Sequence, residues 1–257
     1  MKGPATESLD LPPGWTVVAF ETIGSTNDEA LRRAEAGAPE GTVIAARRQE
    51  GGRGRRGRTW SSPPGNAYSS TIVRPRCPPE QAAQLGFVTA LAVCDAALPG
   101  LPARCVVRLK WPNDVLVDSA KVSGILLESS VGADGLVEHV VIGTGINVTV
   151  APPAGSTSYA AASLRDCGDV RDAPAVLQAY VAALAARLAQ WRAGFAGIRA
   201  DWLTRAAWLG ETVAVSQGGQ RIEGRFAGLD ADGALLLEPP GGTPRRIVSG
   251  EVFRPTG

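Results

Sequence analysis

The sequence predicts a mixed α/β domain over residues 15–208 and a small β-rich domain over residues 209–257. Short apolar runs alternate with longer segments of helical spacing as far as residue 208. Beyond that point, short β runs are separated by Gly-Gly, Asp-Gly and Gly-Gly-Thr-Pro turns, which is typical of a small barrel-like β domain. A chain of 257 residues, 44% of them apolar, is long enough to bury such a core.

The first predicted elements are a strand at residues 15–20 and a helix that starts after Ser25. Ser25, Thr26 and Asn27 precede two acidic residues, and Gly37 closes the alanine-rich segment, as expected for a helix start and stop. The remaining elements of the α/β part are β segments at 42–46, 67–73, 106–109, 115–117, 122–128 and 136–142, and helices at 80–98, at 173–191 and onward to Trp208. The β-rich part has segments at 211–215, 221–229, 234–238 and 245–248.

Composition and charge exclude several classes of protein. A net charge of +1 argues against a general polyanion binder, and the N-terminus lacks the apolar segment of a signal peptide. Polar residues interrupt the apolar-rich stretch 173–191, so no membrane contact is expected there. Four scattered cysteines without a C-x-x-C pair predict a reduced, cytoplasmic protein. A single histidine, His139, argues against a histidine-rich metal site and histidine-based catalysis.

The most distinctive segment is the loop at residues 49–60, which reads QEGGRGRRGRTW. It contains a G-x-G-x-x-G pattern, but a dinucleotide site would need a helix directly after it and an acid about twenty residues on. Pro63 and Pro64 follow instead, and no acid occurs between Glu50 and Glu80. The sequence therefore argues against a Rossmann site.

The same loop suits a small anionic ligand. Its glycines let backbone amides approach an anion, and its four arginines offer forked donors for carboxylate or phosphate. Because four close cations repel each other, we expect the loop to be mobile when empty and to order around an anion. A solvated basic loop or an RNA-binding patch are the alternative interpretations.

Two lysines stand out in a chain that has 26 basic residues and only three lysines. Lys110 opens the run Lys-Trp-Pro-Asn-Asp, in which Asn113 could read an amide-like edge such as adenine and Asp114 is a candidate Mg²⁺ ligand. A tight turn is the competing interpretation of this run. Lys121 begins a buried-looking strand, where it could meet a carboxylate and a phosphate together, or protect an edge strand.

The run Gly-Thr-Gly-Ile-Asn at residues 143–147 ends another predicted strand. Its glycines permit close approach of a ligand, although a β-bulge would also explain them. Together with the loop and the lysines, it describes a site rich in anion ligands and amides. Such a site suits joining a carboxylate to the α-phosphate of ATP, because the protein then positions substrates and neutralises charge.

These segments, taken together, resemble the ordered motifs of biotin protein ligases. The matching runs are Ser-Thr-Asn at 25–27, Gln49 with the arginine–glycine run to Trp60, Lys-Trp-Pro-Asn-Asp at 110–114, Lys-Val-Ser-Gly-Ile-Leu at 121–126 and Gly-Ile-Asn at 145–147. The resemblance implies a catalytic domain related to class II aminoacyl-tRNA synthetases and an SH3-like C-terminal domain. It further implies that biotin and ATP are substrates, with Mg²⁺, and that a lysine of a biotin carboxyl carrier protein accepts biotin.

The resemblance also implies a role for each matching residue. The residues expected to bind biotin are Ser25, Thr26, Asn27, Gln49, Gly52, Arg53, Gly54, Arg55 and Lys121. Of these, Arg55 and Lys121 would be catalytic, because they would neutralise the reacting carboxylate and α-phosphate. The residues expected around ATP and the adenylate are Arg55, Arg58, Trp60, Lys110, Asn113 and Asn147.

Two rival functions remain at this point. A lipoate protein ligase resembles this family in fold and reaction, whereas a non-enzymatic RNA-binding protein would use the arginine loop and the β-rich part. Bifunctional members of the family carry a DNA-binding winged helix-turn-helix at the N-terminus. Residues 1–14 are too few for that module, so we expect no DNA binding and no repressor activity. The resemblance leaves a homodimer open.

Overall fold

The computed structural model describes residues 9–153 and 159–254, and its α/β part is one sheet flanked by helices. The helices are α1 (Thr26–Glu35), α2 (Pro79–Ala83), α3 (Leu85–Ala97), α4 (Ala173–Arg192) and α5 (Phe195–Thr204). The first seven strands are β1 (Thr16–Ile23), β2 (Thr42–Gln49), β3 (Ala67–Val73), β4 (Val107–Lys110), β5 (Asp114–Val117), β6 (Ala120–Val131) and β7 (Val137–Ile146). The expected mixed α/β class is therefore confirmed.

The seven strands form one sheet in the order β1-β2-β3-β7-β6-β5-β4. The pair β1–β2 is parallel, with α1 as its crossover, and all other neighbours are antiparallel. Strands β6 and β7 lie near the centre, which places the two lysine-bearing segments and the glycine run 143–145 side by side. The fold thus gathers motifs that are far apart in the sequence.

The sheet is covered on both faces. On one face, Ala30 and Ala34 of α1 pack against Ile44, Ile72 and Val141. The other face carries the larger core, in which α3 and α4 are the main helices. α3 is buried almost all round, with buried residues at nearly every position from Leu85 to Ala97. Its apolar composition is that of a core helix.

Several elements differ from the prediction, and the strand Glu251–Phe253 was not predicted. The helix expected at 80–98 is divided into α2 and α3 at Gln84, whose side chain accepts a hydrogen bond from Trp191 Nε1 (2.9 Å) and so ties this point to α4. The segment with the length and composition of a membrane span is Pro79–Gly100, and 78% of its most apolar window is buried within the protein. Strand β7 continues through Gly145 to Ile146, because β3 and β6 pair with it on both sides.

The C-terminal part forms a separate antiparallel sheet. Its strands are β8 (Thr212–Gln217), β9 (Gln220–Leu229), β10 (Leu235–Glu238), β11 (Arg245–Ile247) and β12 (Glu251–Phe253), in the order β11-β10-β9-β8-β12. This part packs directly on the α/β part: Trp111 Nε1 donates to the Gly233 carbonyl (3.4 Å), and Phe87 lies beside the same glycine. The contact brings edge strand β12 to the β4–β5 turn.

A buried hydroxyl pair locks α4 to the sheet and generates a stability prediction. Tyr180 is fully buried, and its Oη lies 2.8 Å from Thr144 Oγ1 on β7. Tyr180→Phe and Thr144→Val should each lower the free energy of unfolding by about 1–3 kcal/mol, because each leaves a buried hydroxyl without its partner. The double variant should cost less than the sum, since both hydroxyls are then gone. Urea unfolding measures all three, and strictly additive losses would contradict the pairing.

Candidate active site

A cavity of about 810 Å³ opens above the centre of the sheet. It is lined by the start of α1, the end of β2, the arginine–glycine loop, the β4–β5 turn, strands β6 and β7, and β12. The sequence-predicted residues that line it are Ser25, Thr26, Asn27, Gln49, Arg53, Gly54, Arg55, Arg58, Trp60, Lys110, Asn113, Asp114, Lys121 and Asn147. Gly52 is not on the lining. A Cβ there would lie 2.5 Å from the Trp60 carbonyl oxygen, so a glycine at this position lets the two ends of the loop pass close to each other.

One end of the cavity is a buried polar pocket at the start of α1. Ser25 is the N-cap, and its Oγ accepts from the Asp28 backbone N–H (3.4 Å). Gln49 Oε1 accepts from the Thr26 backbone N–H (2.8 Å) and from Thr26 Oγ1 (3.0 Å). These contacts arise because α1 follows β1 while Gln49 ends the adjacent parallel strand β2. The result is a fixed set of donors and acceptors with little access to water.

Three of the four arginines of the loop, Arg53, Arg55 and Arg58, have side-chain partners within the chain. Arg53 Nη2 lies 2.7 Å from Asp28 Oδ1, and Arg55 Nη1 donates to Asn113 Oδ1 (3.1 Å). Arg58 forms an ion pair with Glu251 of β12. The expectation of mobility assumed four cations without such partners, and that assumption is wrong for these three arginines. The mobility of the loop itself stays a prediction. For the loop to move, these intramolecular contacts must break.

The opposite end of the cavity carries a buried ionic cluster. Asp114 Oδ1 is 2.6 Å from Lys121 Nζ, Asp114 Oδ2 is 3.4 Å from Lys110 Nζ, and the Tyr159 hydroxyl donates to the same carboxylate. Burial opposes ionisation of Asp114, but the two ammonium groups outweigh it and hold the pKa of that carboxyl below its usual range. Burial lowers the pKa of Lys110, and Asp114 offsets part of that effect.

The contacts of this cluster do not suit Asp114 as a Mg²⁺ ligand. Its carboxylate is bracketed by two cations, so a third cation would meet repulsion there. Within residues 9–153 and 159–254, no group of three or more His, Cys, Asp or Glu side chains could hold a metal ion. The described residues therefore do not fit a resident magnesium.

The competing interpretations of the lysine segments are settled by topology. Lys121 lies on β6, which is flanked by β5 and β7, so it does not protect an edge strand. The Lys110–Asp114 run is a hairpin turn, as β4 and β5 pair from Lys110↔Asp114 onward, but it is also part of the cavity wall. Asn113 Nδ2 donates to the Ile125 carbonyl (2.9 Å), which fixes the turn against β6.

The glycines of β6 and β7 form a floor on which Trp60 lies. Gly124 and Gly145 are partners in the β6–β7 register, and a Cβ on them would approach the Trp60 ring to 2.8 and 2.5 Å. Lys121 Nζ sits 5.3 Å from the centre of the same ring. The β6–β7 register shifts only between Ser130 and Val131, so the β-bulge interpretation of the glycine run is wrong. These glycines instead allow the Trp60 ring to approach the backbone of the sheet closely.

Comparison with known proteins agrees with this geometry. Residues 19–147 match the Biotin/lipoate A/B protein ligase family, and residues 208–254 match the Biotin protein ligase C terminal domain. The chain is 42% identical to the biotin–[acetyl-CoA-carboxylase] ligase of Paracoccus denitrificans, over 89% of this chain and 96% of that protein. It belongs to the biotin protein ligase family.

Further matches extend over most of the chain. It is 37% identical to the biotin–[acetyl-CoA-carboxylase] ligase of Mycobacterium tuberculosis, covering 93% of this chain and 89% of that protein. Against the bifunctional ligase/repressor BirA of Bacillus subtilis, the identity is 32% over 93% of this chain and 74% of the relative. The biotin protein ligase of Aquifex aeolicus, solved with biotin and ATP, has a TM-score of 0.75 and 29% identity, covering 92% and 97% of the two chains.

Several residues that line the cavity, or that hold its lining residues in place, were not predicted from the sequence. Ser70 Oγ contacts Thr26 Oγ1 (2.8 Å) and Asn27 Oδ1 (2.5 Å), and Ser62 Oγ accepts from Gln49 Nε2 (3.0 Å). The others are Glu128, Tyr159, Glu251 and Phe253. A serine or an acid in a strand is too common to predict a site, and each becomes visible only when the sheet order is known.

The glycine floor yields a prediction about loop closure. In Gly145→Ala the new methyl group overlaps the Trp60 ring, so the ring must leave the floor and the loop at 51–60 should open. We expect biotin to bind about tenfold more weakly, the effect of moderate overpacking. Isothermal titration measures the affinity. Gly86→Ala in α3 is the control, because its Cβ would meet only ordinary contacts at 3.8 and 4.0 Å. Equal affinities of both variants would contradict the floor.

Proposed function

We propose that the protein activates biotin with ATP as biotinyl-5′-AMP, releasing pyrophosphate, and then transfers biotin to a lysine of a biotin carboxyl carrier protein. The observation that carries this proposal is that the two ends of the cavity offer different contacts to a ligand. A buried hydrogen-bonding pocket at Ser25, Thr26 and Gln49 lies at one end, and the two-lysine cluster lies at the other. A ligand with a neutral polar ring and a distant carboxylate matches both ends.

The pocket end suits the ureido ring of biotin. That ring offers one carbonyl acceptor and two N–H donors, and a binding site must satisfy all of them to avoid a desolvation cost. Ser25 and Thr26 are nearly inaccessible to water, and Gln49 is fixed by Thr26 and Ser62. Pre-formed partners of this kind cost little reorganisation on binding.

The lysine end suits the reaction itself. An oxygen of the biotin carboxylate attacks the α-phosphorus of ATP, the bond to the β-phosphate oxygen breaks, and pyrophosphate leaves with the electron pair. Both reactants are anions, so cations between them lower their repulsion, most of all where charge accumulates around phosphorus. Lys121 and Arg55 line the cavity at this point. ATP would bring Mg²⁺ with its phosphates, since Asp114 is engaged by the lysines.

The second step needs access for a protein amine. The acceptor lysine attacks the acyl carbon of the adenylate, AMP leaves, and the lysine gives up a proton as the amide forms. A mixed anhydride hydrolyses readily, so a cover that excludes water protects it between the steps. The arginine–glycine loop with Trp60 supplies such a cover above Gly124 and Gly145.

The rival functions fit less well. An RNA-binding patch needs arginines that are free for phosphate contacts, whereas Arg53 and Arg58 pair with carboxylates. A lipoate ligase shares the family description of residues 19–147, but the match of residues 208–254 is to the C-terminal domain of biotin protein ligases. Biotin is therefore the substrate we propose.

The activity is tested directly. Protein mixed with ATP, Mg²⁺ and radiolabelled biotin should form biotinyl-adenylate and release one pyrophosphate per adenylate. A biotin carboxyl carrier domain added afterwards should take up the label on one lysine. Lipoate in place of biotin is the control, and adenylate formed with lipoate but not with biotin would reject the substrate.

Lys121→Ala tests the charge end of the cavity. We expect about 10²–10³-fold slower single-turnover adenylation, the size typical of removing one transition-state donor. Biotin affinity should fall less, because the pocket contacts remain. The variant should also lose about 1–3 kcal/mol of stability, since Lys121 is a partner of buried Asp114.

Two further variants separate charge from shape. Lys121→Arg keeps the charge but should not restore the full rate, because a guanidinium is larger and differently shaped. Arg47→Ala removes an exposed charge from strand β2 of the same sheet and should leave adenylation unchanged. Near-normal adenylation by Lys121→Ala would contradict a neutralising role of Lys121 and leave Arg55 as the cation that neutralises the reacting groups.

A further inference from the structure

A continuous chain of hydrogen bonds runs from the proposed biotin pocket toward the arginine–glycine loop. Gln49 holds Thr26, Thr26 Oγ1 lies 2.8 Å from Ser70 Oγ, and Ser70 Oγ lies 2.5 Å from Asn27 Oδ1. All of these side chains except Gln49 are buried. The chain does not end at Asn27, because its amide nitrogen has a further partner.

That partner is Glu128 of β6. Asn27 Nδ2 donates to Glu128 Oε2 (2.6 Å), and Arg53 Nη2 donates to both oxygens of the same carboxylate (3.1 and 2.9 Å). One carboxylate thus joins a buried residue at the start of α1 to the first arginine of the loop. Each of its contacts is a charge-assisted hydrogen bond, which is stronger than a neutral one.

Space for this bridge is built into the sheet. A Cβ on Gly143 would lie 2.3 Å from Asn27 Oδ1, so a side chain at that position would displace the amide. Asn27 has both polar ends occupied, by Ser70 and by Glu128. Asn27 is thereby fixed as a connector between the pocket and Glu128.

We propose that Glu128 is a positioning residue that latches the arginine–glycine loop over the biotin pocket, through Asn27 on one side and Arg53 on the other. The proposal rests on the proposed function, since it assigns a task in retaining biotinyl-adenylate. Asp28 also pairs with Arg53, but its side chain is 60% exposed against 30% for Glu128. The less exposed carboxylate, tied to the buried chain, is the stronger anchor.

Removal of Glu128 has two consequences. Asn27 loses the acceptor for its amide nitrogen, and Arg53 keeps only its exposed partner. The loop then opens more often, and the cover formed by Trp60 opens with it. A ligand held beneath this cover escapes faster, whereas the chemistry at Lys121 and Arg55 in the closed state is untouched. We therefore expect the dissociation rate of biotinyl-adenylate and the KM for biotin to change more than kcat does.

The test compares dissociation of bound biotinyl-adenylate with hydrogen exchange of residues 51–60 in the unliganded protein. In Glu128→Ala we expect dissociation and exchange to be about tenfold faster, the size of one lost charge-assisted hydrogen bond. Glu128→Gln keeps an oxygen acceptor and should show about a threefold effect. Single-turnover adenylation at saturating biotin should change less than threefold. Wild-type dissociation and exchange in Glu128→Ala would overturn the proposal.

Matched variants exclude a general loss of structure. Glu138→Ala removes an exposed acid from β7 of the same sheet and should leave both rates unchanged. Arg53→Ala combined with Glu128→Ala should have a smaller effect than the sum of the two single variants, because each of them already removes the contact between Arg53 and Glu128. Additive effects of the two would overturn the latch. If wild-type protein forms no adenylate with biotin, the proposed function fails, while exchange of residues 51–60 still decides on the latch.

Discussion

The carboxylate of Asp114 between Lys110 and Lys121 is the interaction on which the cavity depends. Asp114 begins β5, Lys110 ends β4 and Lys121 opens β6, so the cluster ties three strands at one point. Burying these charges is tolerable only because they are close together, since an unpaired buried charge costs several kcal/mol. Two ammonium groups against one carboxylate leave an excess positive charge beside the cavity. Anionic substrates are attracted to that excess, which explains why a buried charge cluster and a ligand site coincide.

The second constraint is the lack of a side chain at three positions of the central strands. Gly124 and Gly145 make a flat surface for Trp60, and Gly143 leaves room for Asn27. A sheet normally weakens at glycine, because nothing packs there. Here the loop supplies the missing packing from above, so stability of the sheet centre and closure of the loop are coupled. The glycines and the arginine loop therefore pack together as one structural unit, although about 65 to 90 residues separate them in sequence.

The sequence was informative where local chemistry sets the structure. Ser25 was predicted as a helix start and is the N-cap, and the strands carrying Lys121 and the glycine run were predicted as strands. Long-range pairing could not be predicted. Glu128 meets Asn27 across 101 positions and Arg58 meets Glu251 across 193, and no periodicity reports such contacts. For this reason the assumption of unpartnered arginines was wrong for three of the four loop arginines. Asp114 was expected to bind a metal ion because, in the sequence, a carboxylate in a turn looks the same whether a metal ion or a lysine faces it.

The C-terminal sheet belongs to the same site. Glu251 pairs with Arg58, and the Phe253 ring lies 5.6 Å from Lys110 Nζ, so β12 contacts both the loop and the ionic cluster. Each arginine of the loop that has an acidic partner finds it on a different element: Arg53 on α1 and β6, Arg58 on β12. Acidic residues from three separate elements, α1, β6 and β12, therefore each offset part of the charge repulsion between the loop arginines. Any movement that separates the two sheets removes one of these partners, so the position of the small sheet and the closed state of the loop stabilise each other.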